Sequence, residues 1–435
     1  MELALYLHIP FCLSKCNYCD FFSRPISKTA TVSVAENASS CLEQYVNALC
    51  NEIAFRLSDI DNNEGCEIKS VYIGGGTPSL LSGQQFNKIF ERIRACANVE
   101  NSSSCRLHLN SSCEITVELN PDDVTPELLQ ALEQNGVNRL SVGIQSMNDS
   151  VLKNVKRRAG RDENLKALSC IRNNWKEKFS VDLISALPLE TLSSFESGLK
   201  EVIAFKPAHI SLYSLTIEEE TTLGKQLSSG QLDYDFDFAD KMWLLGRELL
   251  EKNGYAQYEV SNFAKKEGFG KGEFECVHNL FYWKHKPYLG CGSGATGTVY
   301  KLDGSGFRWT NTEDIEKYIE FWGTKDTRGQ LKLTQIGEQK QIQLPQLEEV
   351  VTLEASKFEF FMMGLRKICG ITSAEYMEAF GEALPEAFTR LAKKWKKEEL
   401  FEIFSKLEHG QKVMCYRMSR NGLLFLNRFL SELEL

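Results

Sequence analysis

Cys12, Cys16 and Cys19 stand in PFCLSKCNYCDF with C-x3-C-x2-C spacing, directly after an apolar run. Thiolates are soft ligands, and three on one short loop can hold three irons of a [4Fe–4S] cubane, leaving the fourth iron open to a small chelating ligand. Zinc is the rival metal. A structural zinc site wants four ligands, and the nearest fourth candidate, Asp20, is awkwardly placed beside Cys19. Among the chain's 14 cysteines, Cys41, Cys50, Cys66, Cys96, Cys105 and Cys113 show no ligand-like spacing. They are expected to be small buried hydrophobes or surface thiols.

Such chemistry needs a scaffold that gathers distant side chains, and the first half of the chain supplies one. Six apolar runs recur: LALYLHI (Leu3–Ile9), SVYIGGG (Ser70–Gly76), EITVELN (Glu114–Asn120), RLSVGIQ (Arg139–Gln145), FSVDLIS (Phe179–Ser185) and HISLYSL (His209–Leu215). Segments with helical periodicity lie between them, from Leu42, from Ser82 and over TPELLQALEQNG. In the last, Thr125 reads as the N-cap, Pro126 as the first helical residue and Gly136 as the stop. Six β–α units in series imply an α/β fold with a parallel sheet and right-handed crossovers. They predict a partial (β/α)6 TIM-type barrel, with a doubly wound sheet as the alternative. In such a barrel working groups sit at the C-terminal ends of strands. The cysteine loop follows the first run and Gly74–Gly75–Gly76–Thr77–Pro78 follows the second. Glu118 ends the third, Gln145 ends the fourth and Asp182 lies late in the fifth, so all five features are expected to share one mouth.

The net charge of −9 and the pI near 5.5 disfavour a nucleic-acid binder, which needs a surplus of Lys and Arg. The local run KRRAGR (Lys156–Arg161) is the best candidate for a basic patch, although such a run by itself reads as a solvated helix end. No stretch has the apolar length to cross a bilayer, and there is no charged leader with an apolar core. The mature protein is therefore expected to start at Met1 and to work in the cytoplasm. The polar stretches Ser27–Ser40 and Asn98–Ser112 read as surface loops. Beyond roughly Gly297 the alternation stops. Residues 1–297 are expected to form the barrel and motif region, and residues 298–435 a mostly helical domain with a small β element near Gln411–Met418.

LYLHIPFCLSKCNYCDF, GGGTPSLL, ITVELNP, SVGIQS and DLISALP occur in an order that resembles the oxygen-independent coproporphyrinogen III oxidase-like family of radical S-adenosylmethionine proteins, over nearly the whole chain. The resemblance implies a [4Fe–4S] cluster on Cys12, Cys16 and Cys19, with S-adenosylmethionine at the open iron. It implies that the turn with Gly75, Gly76 and Thr77 receives the methionine amino group. Glu118, Gln145 and Asp182 would hold ribose hydroxyls and the ammonium, and Arg157 would pair with the methionine carboxylate. Tyr6 and Tyr18 match contacts near the cluster and the adenine.

The family has two branches. In the oxidases another cysteine stands two positions after the third ligand, where this chain has Phe21. HNLFYW (His278–Trp283) resembles the HNxxYW motif of the HemW branch, whose members are haem chaperones without oxidase activity. By that resemblance His278 gives an axial imidazole to haem iron, and Tyr282 and Trp283 offer flat apolar surface to the macrocycle. QYEVSNFA (Gln257–Ala264) and GCGSGATG (Gly290–Gly297) flank the motif. His8, His108, His209, His285 and His409 receive no such reading. Three positions depart from the family pattern: Ala186 replaces a usual glycine, and Ala159 and Thr296 replace usual histidines. The expected function is a haem chaperone that carries haem, a [4Fe–4S] cluster and S-adenosylmethionine. It would pass haem to recipient haemoproteins, respiratory enzymes at the membrane among them, and peripheral membrane contact is compatible with that role. The alternative is an oxygen-independent coproporphyrinogen III oxidase.

Overall fold

Alternation along the strands sorts their side chains into two faces. In the computed structural model, which describes residues 2–26, 32–59, 66–97, 107–268, 273–323, 344–408 and 410–435, the aliphatic parity buries in one main core beneath the helices. Leu5, Leu7, Val71, Ile73, Val117, Val142, Val181 and Ile210 belong to it. The other parity is polar and turns to the inside of the sheet's curve, where Tyr72 feels the charges of Glu118 and Asp182 from two other strands. A parallel strand covered on both faces can thus keep a strict two-residue period when one of its faces lines a polar lumen.

Six parallel strands, Glu2–Ile9, Cys66–Gly75, Leu107–Leu119, Arg139–Gln145, Lys178–Ser185 and His209–Ser214, pair in chain order. This is the expected partial (β/α)6 barrel. Its sheet does not stop at six. Beyond the sixth strand it continues into Asn262–Lys265 and Tyr255–Gln257. On the other side the first strand pairs in parallel with Tyr288–Cys291, and the antiparallel strands Thr296–Tyr300, Gly306–Asn311 and Gln346–Val351 complete a 12-stranded sheet. No helix among the described residues is long and apolar enough to cross a membrane.

The expected boundary at residue 297 falls inside the strand Thr296–Tyr300, and Trp309, Ile315, Tyr318 and Trp322 bury in the main core. Antiparallel strands need no intervening helix, so the end of β–α alternation is not the end of the sheet. A second core gathers Phe360, Phe361, Tyr376, Phe388, Trp395 and Phe429. We propose the division near Thr352, the N-cap of the helix Leu353–Gly364. Beyond it, four helices pack with a three-stranded sheet that includes Gln411–Met418. The two stretches read as loops are partly regular. Residues 32–40 open the helix Val32–Asp59 and residues 107–112 open the third strand, while the rest of both stretches lies outside the described residues. Extending an element costs less than nucleating one, so polar residues can continue what packed residues have started.

Candidate functional site

The cysteine loop leaves the first strand and is closed at its base, where Phe11–Cys12 pairs with Arg24–Pro25 and Ile26 N–H donates to the Cys12 carbonyl at 2.7 Å. Asn17 fixes its middle. Its N–H donates to Val155 O at 3.0 Å, its Nδ2 to Asn154 O at 3.2 Å, and its carbonyl accepts from Leu223 N–H at 3.0 Å. Thr77 Oγ1 reaches Cys12 Sγ at 3.3 Å, Arg157 reaches Cys16 Sγ at 3.9 Å, and the Tyr18 hydroxyl bonds to Cys16. Burial pushes the Cys19 thiol up to about 11, and Cys16 and Cys12 add to the shift, so the three sulfurs lie within one another's field. No group of three His, Cys, Asp or Glu among the described residues is drawn up to metal-binding geometry. The donor set still fits a cubane: three thiols on one loop, sulfur-directed donors from Thr77, Tyr18 and Arg157, and an exposed Asp20 that is no fourth ligand.

Beneath the loop lies the turn that ends the second strand. Gly75 has φ +110° and its N–H donates to Glu118 Oε2 at 3.1 Å; Gly76 N–H donates to Ile9 O at 2.9 Å. A Cβ on Gly76 would meet the backbone oxygens of Phe11 and Ile9 at 2.7 and 2.8 Å, so only glycine allows this approach. Tyr72 donates to Glu118 Oε1 at 2.8 Å. Burial lifts the Glu118 carboxyl to about 7, Tyr72 and Gly75 draw it back in part, and Asp182 pushes it up. Asp182 is itself raised by burial, against hydrogen bonds from Ser211 and from Ser141, whose Oγ donates at 2.8 Å. A register shift after Gly143 turns Gln145 to φ +66°, a conformation that costs a non-glycine residue about 1–2 kcal/mol. Arg157 bonds to the Gly143 carbonyl, while its Nε is buried without a hydrogen-bond partner. Cys12, Cys16 and Cys19 therefore share one mouth with Gly75, Gly76, Thr77, Glu118, Gln145, Arg157 and Asp182. The glycine cradle and the spare Arg157 donor fit a ligand carrying both an ammonium and a carboxylate, which is the amino-acid end of S-adenosylmethionine.

Tyr18 packs in a rim cluster with Val151, Val155, Leu187, Leu215 and Leu223. Tyr6 lies one layer down, with its hydroxyl 2.9 Å from His8 Nδ1. His8 Nε2 sits 2.9 Å from the Phe22 carbonyl, which must accept, so Nε2 carries the proton and Nδ1 accepts from Tyr6. The His8 ring supports the Gly75 turn from below, where a Cβ would meet it at 2.4 Å.

His278, the residue expected to face haem, lies apart from the cysteine loop. It is 2% exposed in the barrel lumen, with Nδ1 2.9 Å from Ser70 Oγ and Nε2 3.0 Å from the Tyr282 hydroxyl. Its ring stacks on Tyr72 with centroids 4.9 Å apart, and burial lowers its pKa to about 3. Both ring nitrogens are thus hydrogen-bonded in this structure, one donating and one accepting. His8 and His209 are likewise bonded at both nitrogens. His285 Nε2 lacks a hydrogen bond, 3.9 Å from Glu359 and against Tyr300. Sequence reasoning passed over Asn17 and Tyr72. The two-residue period, which puts Tyr72 on the face of Gly74, was the available signal for the second.

Known proteins resemble the chain along most of its length. The Radical SAM superfamily profile matches residues 6–202. Heme chaperone HemW of Escherichia coli (strain K12) is 30% identical over 98% of this chain and 97% of its own. Heme chaperone HemW of Bacillus subtilis (strain 168) is 30% identical over 90% of each. The solved coproporphyrinogen III oxidase (HemN) from Escherichia coli, a radical SAM enzyme, superposes with a TM-score of 0.72, covering 99% of this chain and 90% of that one at 19% identity, which shows a shared fold.

Proposed function

Since the chain belongs to the heme chaperone HemW family of the Radical SAM superfamily, we propose that it binds haem, a [4Fe–4S] cluster and S-adenosylmethionine and delivers haem to recipient haemoproteins. The observation that carries the site is Thr77, which ends the glycine turn and touches Cys12 Sγ, so that cluster loop and cofactor turn meet at one point. In this reading Cys12, Cys16 and Cys19 hold the cluster. Gly75, Gly76, Thr77, Glu118, Gln145, Arg157 and Asp182 hold S-adenosylmethionine, with Tyr6 and Tyr18 beneath and beside them. The cofactor, when bound at an open iron, supplies a sulfonium bond that a single electron can cleave. The chain's own part is to position it. Arg157 Nε, buried and without a partner, gains one from a carboxylate, and Glu118 is held ionised by an adjacent ammonium.

We place the protein in the cytoplasm, with respiratory haemoproteins as recipients and peripheral contact with the membrane at most. The test is haem delivery. Anaerobically reconstituted, haem-loaded protein should restore a haem-depleted b-type haemoprotein, and a cluster-free preparation should do so poorly. Equal transfer by both would remove the cluster from the function. Consumption of coproporphyrinogen III with release of protoporphyrinogen would replace the chaperone reading by the oxidase. Phe21, 69% exposed where the oxidases carry a cysteine, argues for the chaperone.

A further inference from the structure

The HNLFYW segment lies inside the barrel, and its contacts lead to the glycine turn. Its helix, Val277–Trp283, is anchored from below: Glu114 Oε1 accepts from His278 N–H at 3.1 Å, and Glu114 Oε2 lies 3.7 Å from the guanidinium of Arg139, a side chain with 2% exposure. Cys276 N–H donates to the Tyr258 hydroxyl at 3.1 Å, one residue before the helix begins. The imidazole is then pinned at both nitrogens, by Ser70 at 2.9 Å and Tyr282 at 3.0 Å, and its face lies along the Tyr72 ring at an interplanar angle of 28°. From Tyr72 the path is short. The phenol hydroxyl donates to Glu118 Oε1 at 2.8 Å, and Glu118 Oε2 accepts from Gly75 N–H at 3.1 Å. There is no slack above the stack, because a Cβ on Gly74 would meet the Glu118 carboxyl and the Tyr72 ring at 2.9 Å each.

We infer that His278 is a positioning residue: through Tyr72 it sets the Glu118 carboxylate against the Gly74–Gly75–Gly76 turn, and so sets the affinity of that turn for S-adenosylmethionine. The inference rests on the reading that this turn holds the cofactor. Four aromatic or imidazole rings, Tyr6, Tyr72, His278 and Tyr282, make the floor on which the carboxylate stands. Without the imidazole, Tyr72 loses the surface that fixes its ring, and Ser70 and Tyr282 lose a buried partner.

The experiment is S-adenosylmethionine binding by calorimetry to the anaerobically reconstituted full chain, with iron content and melting temperature measured alongside. His278→Ala, Tyr72→Phe and the double variant form a cycle. Each single change is expected to weaken binding about tenfold, the size of one lost hydrogen bond to a charged group. The double variant is expected to bind no more weakly than His278→Ala, because both changes cut the same path. A merely structural role would lower the melting temperature and leave the affinity unmoved or the two losses additive, and either result overturns the inference. Should His278→Ala not fold, Tyr72→Phe, which keeps the stacked ring and removes only the hydroxyl, decides alone: unchanged affinity overturns the path. Haem titration in the Soret region separates the ligand role. Full binding by His278→Ala supports positioning, whereas a lost haem band with unaltered cofactor affinity returns His278 to the iron. A wild type that fails to bind S-adenosylmethionine defeats the cofactor reading itself, and the inference with it.

Discussion

The backbone N–H of Ala186 points at Met242 Sδ, 3.1 Å away, and holds Ala186 at φ +62°. This is the left-handed region, where a Cβ costs about 1–2 kcal/mol and glycine is at ease. The departure from the family's usual glycine is therefore a local strain at the exit of the fifth strand. Ala186→Gly should raise stability by about 0.5–1 kcal/mol, after allowing for the greater freedom of glycine in the unfolded chain. Urea midpoints of the two proteins at equal m-value would check it, and a lower midpoint for the glycine variant would show that the methyl group's burial outweighs the strain.

Glu190 sits near Ala186 with its Oε1 accepting from Ser146 Oγ at 2.7 Å, and burial raises its carboxyl from 4.5 to about 7. An acid whose pKa is higher when folded favours the folded state fully below its unfolded value. That contribution is lost as pH rises from about 4.5 through 7. Glu190→Gln should therefore stabilise the protein at pH 8 by about 1–2 kcal/mol and change little at pH 5. Melting curves at the two pH values give the answer; a uniform shift would mean that the carboxyl is ionised throughout.

Arg139 and Glu114 form a buried ion pair in the floor of the barrel, 3.7 Å apart, and Glu114 also accepts from Cys276 Sγ and His278 N–H. Removing the cation leaves a buried charge alone. Arg139→Met is expected to cost about 3–5 kcal/mol, read as a fall in the unfolding midpoint. A loss below about 1 kcal/mol would show that the pair contributes little net stability where it stands.

Serine at Cys12, Cys16 or Cys19 should abolish the cluster, taking iron and sulfide after reconstitution from about four of each per chain to near none. Cys369→Ser, at an exposed position, should keep both. Full iron and sulfide in any one of the first three variants would strike that thiol from the ligand set.

The mouth was readable because its parts obey local rules. Apolar residues at every second position marked the strands, and strand ends marked Gly75, Glu118, Gln145 and Asp182. Thr125, the cap read from the sequence, does accept from Leu128 N–H in the structure. What stayed hidden depends on partners far along the chain. Ser70 and Tyr72, which occupy the His278 imidazole, precede it by about 200 residues, and Asn17 finds Asn154 across 137. No periodicity reports such meetings. The parallel strand Tyr288–Cys291 escaped for another reason: at four residues, beside a glycine-rich turn, it is too short to show a pattern.

That short strand has a consequence in time. The first strand, Glu2–Ile9, needs Tyr288–Cys291 to complete its pairing. At roughly 5–20 residues per second, a ribosome takes about 15–60 s to make the chain between them. Throughout that interval one side of the first strand has nothing to pair with, and the cysteine loop grows from an unfinished neighbour. Iron that arrives before residue 291 is made meets a loop whose strand is paired on one side only. Ribosome-stalled chains ending before residue 280 should leave the loop open to protease, and protection at that length would show that the first strand settles without its late partner.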